Sequence, residues 1–414
     1  MPWWENEFLR VKNNKLYLEE TEASSIAEKK GTPLFVYSRK QILANIRNLK
    51  QALAPLSDKT IKIHYAMKAN PHPAILSLAK RESLGIDAVS PAEIKRAKES
   101  SFPASKIIFT GTSLSREDLH QALLHDGLII TLDAVEQLEM LKEVRNLEFP
   151  KKEVKLSFRW NPGIGKGFNS KVITAGERTP DGIPIKFGLD DSLLFEAFQT
   201  AQNYGFQTVG LHQHLGSGWM EEDFSSVCEG VSRLVEKASL LEKKGYHLEF
   251  LDFGGGFGPR YSKDQTLFPL EKYALFISRQ IKEKKLRLKI LVFEPGKYLV
   301  GNAGILLVKV EYVKKNFGNL FACVNTGTFN SVPRPVIYEG ARHEIANCSQ
   351  VKTDKEEKIT VAGNLCETGD IFAREILLPL PKPGDILALL TTGAYCRSMA
   401  STFNLREIPR EIFI

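Results

Sequence analysis

Eight short apolar runs recur between residues 61 and 296: IKIHYAMK, GIDAVS, KIIFTG, LIITLD, VKLSFRWN, TVGLHQHLG, LEFLDFGGG and LKILVFEPG. They are rich in β-branched and aromatic residues and end in turn signals, as in the AN-PHP after the first, so each reads as a strand. Most gaps between them space apolar residues three and four apart, as in PAEIKRAKES, SREDLHQALLHDG, AVEQLEMLKEV and VSRLVEKASLLEKKGY. That is the spacing of an amphipathic helix. Strand alternating with helix eight times predicts an α/β fold, a (β/α)8 TIM-type barrel. A doubly wound open sheet is the rival, but eight units in about 240 residues match the usual barrel size.

Beyond Glu294 the pattern changes. GILLVKVEYVKK, NLFACVNTG, KITVAGNL, DILALLTTGAY and EIFI are strand-like and punctuated by turns such as KPGD, which predicts a separate β-domain. The N-terminal KLYLEE is also strand-like and is expected to join it. The organisation expected is a barrel over 34–296, with residues 1–33 and 297–414 forming the β-domain.

Composition narrows the function classes. The chain has 414 residues, 43% hydrophobic and 25% charged, the balance of a globular protein long enough for a large domain and a smaller one. The net charge of +7 is spread over runs such as KKEVK and KEKKLRLK. Without aromatic interleaving or a basic tail, this argues against nucleic-acid binding while favouring an anionic cofactor or substrate. Five cysteines (Cys228, Cys323, Cys348, Cys366, Cys396) lack CxxC or zinc-type spacing, so no disulfide framework or metal site is expected and a reducing, cytoplasmic setting is. MPWWENEFL has no basic start or apolar core, and no run approaches the ~18 apolar residues of a membrane span.

The chemistry gathers where the barrel rule puts it. Strand carboxyl ends face one shared mouth, which would collect Lys68, Ser90, His214, Gly254, Gly255, Gly256 and Glu294. A lysine closing an apolar strand needs a partner or a task; otherwise it escapes to solvent. Three glycines after the seventh strand let backbone N–H groups approach an anion, with Ser217 and Gly218 as small neighbours. His214 could lie flat on a planar ligand or be a core histidine satisfied by a carbonyl. Glu294, at the end of LKILVFE, needs a positive partner to stay ionised. An amine for a Schiff base, an anion cradle and a carboxylate for a ring nitrogen together describe pyridoxal phosphate (PLP).

The series HYAMKAN, GIDAVSPAE, HQHLGSG, LDFGGGFG, EPGKY, RPVIY, NLCETGD and GAYCRSMAS resembles the fold-type III PLP-dependent decarboxylases, and within them the diaminopimelate decarboxylase family. The resemblance runs from about residue 33 to the end. It implies an alanine racemase-like barrel followed by a β-domain, a homodimer with shared active sites, and conversion of meso-2,6-diaminopimelate to L-lysine and CO2. By resemblance Lys68 would condense with the cofactor aldehyde, and His214 would stack on its ring. Ser217, Gly254, Gly255 and Gly256 would hold the phosphate, Tyr395 would reach the phosphate or substrate, Gly296 would also meet the cofactor, and Glu294 would keep the ring nitrogen protonated. Cys366, from the second subunit, would return a proton to the carbon that loses CO2. Lys297, Arg334, Tyr338, Glu367 and Tyr395 would meet the amino-acid substrate. Arg334 offers a fork for a distal carboxylate and Glu367 a charge for a distal ammonium.

Some positions depart from the family pattern: EPGK, with Lys297, replaces EPGR, and Asn325 replaces an aspartate. NPGIGKGFNSKVITAGERTPDGIPIKFG is longer than the usual link, and EGARHEI replaces a tyrosine cluster. Two alternatives stay open. One is a related decarboxylase acting on ornithine, arginine, carboxynorspermidine or a siderophore precursor. The other is a non-catalytic binding protein on the same fold.

Overall fold

In the computed structural model, which describes residues 2–414, every one of the eight apolar runs is a barrel strand. In order they are Thr60–Ala66, Gly85–Ala88, Ile107–Thr110, Ile129–Leu132, Lys155–Arg159, Gln207–His212, Phe250–Asp252 and Ile290–Phe293. Each pairs in parallel with the next, and the eighth closes on the first with Ile290 opposite Thr60. Strands covered on both faces need no polar alternation, which is why they read as near-continuous apolar runs. The intervening helices carry the expected signals. Ser90 accepts from the Glu93 N–H at 3.2 Å and caps Pro91–Glu99, with proline in its first turn, and Ser115 with Asp118 forms a capping box. Ser90 therefore has a structural task, stopping the second strand and starting a helix.

The chain divides into two compact units: one is residues 47–258 with 266–296, the other residues 1–46, 259–265 and 297–414. In the second unit, a mixed sheet is built on Gly304–Asn316. Ile386–Leu389 and Asn319–Val324 pair antiparallel with it, and Glu356–Ala362 and Ile371–Pro379 extend the sheet. Alternate residues of the central strand feed two cores. Ile305 and Leu307 pack with Phe8, Leu16, Leu18 and Ala388, while Leu306, Val308 and Val310 pack with Phe35, Ala322 and Val361. Period-2 alternation between two covered faces explains the unbroken GILLVKV.

The N-terminal boundary differs from the expectation. The strand that joins this sheet is Leu34–Tyr37, antiparallel to Gly304–Leu307 and parallel to Arg410–Phe413, whereas a boundary at 34 assigns it to the barrel. LFVY is as apolar as any barrel strand, so composition alone cannot allocate it. KLYL instead lies in its own three-stranded sheet, Leu9–Lys12, Lys15–Leu18 and Thr21–Glu22, and contributes Leu16 and Leu18 to one of the two cores.

Candidate active site

Lys68 lies in a single 3₁₀ turn, Met67–Ala69, at the carboxyl end of the first barrel strand. Its Nζ donates to Asp87 Oδ2 at 2.7 Å. The Asp87 side chain is 1% exposed and that of lysine 37%, so the amine is turned onto a buried carboxylate while one side stays open. Burial and the Glu294 charge push the Asp87 carboxyl up, against the opposing pull of Lys68. Asp87, in GIDAVS, was not among the sequence candidates.

Glu294 follows the eighth strand, where its N–H donates to Gly254 O at 2.8 Å. Its Oε2 lies 3.2 Å from His212 Nε2. Asp252 completes a buried trio, with ligand atoms of all three residues within 4.8 Å of one another. That spacing would also admit a cation, a possibility the cysteine spacing did not raise. Burial and the Glu294 charge push Asp252 well above the carboxylate range, so it keeps its proton. Burial works to raise Glu294 as well, but the His212 charge and hydrogen bond, helped by Lys68, hold it below that range. Glu294 also meets the protonated Asp252 carboxyl in a side-chain hydrogen bond, while its buried Oε1 accepts from no amide, ring or hydroxyl donor. A buried acceptor short of donors costs about 1–3 kcal/mol, more when charged, and a protonated ring nitrogen would supply one.

His214 is half-buried, with its Nδ1 accepting from the Gly255 N–H at 3.2 Å. Burial, then the charges of Arg159 and Lys68, hold the ring well below its ordinary value; it is a neutral, flat surface. The Gly254 N–H is also committed, to Asp252 Oδ1 at 2.8 Å. Two of the three glycine amides thus organise the mouth itself, which leaves that of Gly256 to meet an anion. A Cβ on Gly255 would stand 2.2 Å from the Glu294 carbonyl, and one on Gly256 (φ +123) 2.4 Å from the Trp219 indole. Glycine is required there for one loop to approach the next.

Ser217 and Gly218 sit on the sixth loop under the long 161–188 insertion. Lys166 and Phe168 donate backbone bonds to Leu215 O and Ser217 O, and Trp219 Nε1 donates to Lys166 O at 2.8 Å. The extra length therefore braces the HLGSG turn. An amine, a buried ionised carboxylate, a neutral imidazole and a close-packed glycine turn in one barrel mouth fit PLP.

The remaining candidates belong to the second unit. Arg334 is 2% exposed; its Nη1 lies 3.0 Å from His343 Nε2, and its guanidinium stacks 4.3 Å from the Tyr261 ring centroid. His343 Nδ1 lies 2.9 Å from Leu390 O, so Nδ1 carries the proton and Nε2 accepts from arginine. Tyr338 is half-buried behind this helix turn, its N–H bonded to Arg334 O at 2.9 Å. Lys297 is buried, 5.6 Å from the Tyr395 ring centroid, and burial followed by the Arg334 charge pushes its ammonium well below the usual lysine range. Tyr395 adopts φ +55. Cys366 and Glu367 are exposed, on a loop fixed by buried Asp370, which accepts from the Thr328 and Leu365 N–H groups at 2.6 and 2.8 Å.

The neutral His343 predicts acid sensitivity. Burial, then the Arg334 charge, push the ring down to about 3, against ~6.5 in the unfolded chain. Above ~6.5 both states are neutral; below it the unfolded chain takes up the proton first, so stability falls as pH drops toward 3. Denaturant unfolding should show about 2 kcal/mol lost between pH 7 and 5 at this residue, and H343Q should remove that increment.

A family described as "Pyridoxal-dependent decarboxylase, pyridoxal binding domain" matches residues 39–301. The chain is similar to the diaminopimelate decarboxylase of Methanothermobacter thermautotrophicus, with 35% identity over 404 residues covering 96% of this chain and 90% of that protein. For the Zymomonas mobilis diaminopimelate decarboxylase the identity is 33%, with coverages of 98% and 92%. Among solved structures, the Methanocaldococcus jannaschii diaminopimelate decarboxylase in complex with L-lysine superposes with a TM-score of 0.89 at 30% identity, covering 99% of this chain and 93% of that one.

Proposed function

Since the chain belongs to the pyridoxal-dependent decarboxylases, we propose that it decarboxylates meso-2,6-diaminopimelate to L-lysine and CO2 in lysine biosynthesis, using PLP. The observation that carries the reading is the buried Glu294 carboxylate, held ionised by His212 and Lys68, in the mouth where Lys68 presents its amine. When bound, PLP supplies the sink for the electron pair left behind as CO2 departs.

The chain's own groups do the rest. Lys68 would provide the amine that holds the cofactor, with Asp87 fixing that amine in the mouth. Glu294 would keep a proton on the ring nitrogen, and His212, helped by Lys68, keeps Glu294 charged. His214 presents an uncharged face to the ring. Ser217 and the glycine turn of Gly254, Gly255 and Gly256 take the phosphate, the amide contact falling to Gly256; Tyr395 reaches the phosphate or substrate, and Gly296 also meets the cofactor. Arg334 orients toward a substrate carboxylate with Tyr338 behind it, Glu367 toward the distal ammonium, and Lys297 stands beside Arg334. Cys366 returns a proton to the carbon that has lost CO2.

This reading includes a homodimer in which each Cys366 serves its partner's site, and a cytoplasmic location. The latter is supported by five free cysteines and by the absence, among the described residues, of any helix long and apolar enough to cross a membrane. Purified holoenzyme should release CO2 from meso-diaminopimelate and form L-lysine, with none from ornithine or arginine. The opposite preference would assign it to the related diamine-forming enzymes, and silence on every amino acid to a binding protein.

A further inference from the structure

Cys366 and Asn404 hold each other at two points, although 38 residues separate them. The Cys366 backbone N–H donates to Asn404 Oδ1 at 3.1 Å, and Asn404 Nδ2 donates to Cys366 Sγ at 3.0 Å. The first bond decides which end of the amide faces which, because only its oxygen accepts from an N–H. The sulfur therefore receives a hydrogen bond. Cys396 makes the contrast: its buried Sγ donates to Ala394 O at 3.5 Å, so its proton is engaged. The Cys366 proton has no such commitment to Asn404 and points elsewhere.

Asn404 reaches this position from φ +56, ψ 22, inside the turn Phe403–Leu405. Asparagine is among the few residues that adopt this left-handed conformation readily. The turn gains no burial from it, since Leu405 beside it is 95% exposed. A two-point clamp and an uncommon backbone conformation are thus spent on aiming one exposed thiol.

We propose that Asn404 is the positioning residue for the Cys366 thiol, a role that rests on reading Cys366 as the proton donor. In the step it serves, the S–H bond breaks and a C–H bond forms at the carbon that lost CO2, using the electron pair that CO2 left behind. The negative charge then rests on sulfur, where the Asn404 N–H stabilises it until solvent restores the proton. By occupying one sulfur lone pair, the amide also turns the S–H toward the reacting carbon.

The decisive variant is N404D. It keeps the oxygen that accepts from the Cys366 N–H and tolerates positive φ, but replaces the Nδ2 donor with a second oxygen facing sulfur. In the holoenzyme, kcat should fall about tenfold or more, the range of a lost hydrogen bond to a charged group. KM and the cofactor absorption band should not move. Iodoacetamide alkylation of Cys366 at neutral pH should slow by a similar factor; the other four cysteines are buried, so the label reports on this one. N404G, compatible with the backbone but lacking both bonds, should lose turnover too. Wild-type kcat or wild-type alkylation in N404D would overturn the inference. The underlying reading is tested separately by C366S: full turnover there removes the cysteine from the reaction, whereas loss in C366S beside normal N404D rejects only the role of Asn404.

Discussion

Replacing Lys68 by alanine should cut turnover on the order of 10⁴-fold or more, the scale expected when the group that bonds covalently is deleted, while leaving the barrel folded. The second half of that expectation comes from Asp87. Removing the partner of a buried carboxylate usually costs about 3–5 kcal/mol if the charge persists. Here burial and Glu294 already push the Asp87 carboxyl up, so without the ammonium it takes a proton and much of the cost is avoided. The lysine is also partly open to solvent, which further screens what the pair contributes. K68A should therefore show a near-native circular dichroism melt with no decarboxylation. Borohydride in the presence of PLP should label the wild type at position 68 and leave K68A unlabelled. K68R separates charge from chemistry: arginine keeps Asp87 paired but stays protonated, so it should be as inactive as alanine and melt closer to wild type. Turnover within tenfold of wild type in K68R would remove the lysine from its proposed role.

Much of this architecture was legible because parallel strands advertise themselves. A strand covered on both faces has no reason to alternate, so runs such as LKILVF stand out from the amphipathic helices between them. Lys68 and Glu294 were legible for the same reason, each being a charged residue where an apolar run stops. Asp87, His212 and Asp252 were not. An acid within GIDAVS or LEFLDFGGG reads as an ordinary strand-end polar residue, and what turns it inward is register: His212 stands opposite Asp252 on one neighbouring strand and Arg159 on the other. Register depends on which strands meet, which no single run encodes. Asn404 was hidden differently, since it joins Cys366 across 38 residues of intervening chain. Ser90 ran the other way, a mouth position by rule whose hydroxyl is occupied in capping a helix.

Glu294 supports the second large effect. E294Q keeps the shape and one acceptor but removes the charge, so turnover should fall about 10²–10³-fold, as when a preorganised electrostatic contact is lost from a closed site. Stability should not follow. A buried carboxylate is itself costly, and its negative charge raises both Asp87 and Asp252. With the charge gone, both neighbours ionise more easily and the trio loses an internal repulsion, which offsets the lost attraction of His212 and Lys68, so the melting temperature should hold while activity collapses. That separation of activity from stability distinguishes a functional acid from a structural one, whose loss would lower both. His212 refines the test. It is the largest favourable influence on the Glu294 charge, at 3.2 Å, so H212Q should reproduce a smaller part of the E294Q loss with the Lys68 amine untouched. If E294Q instead retains wild-type kcat and holds PLP as tightly as the wild type, the ring nitrogen does not depend on this residue and the electrostatic logic of the mouth is wrong.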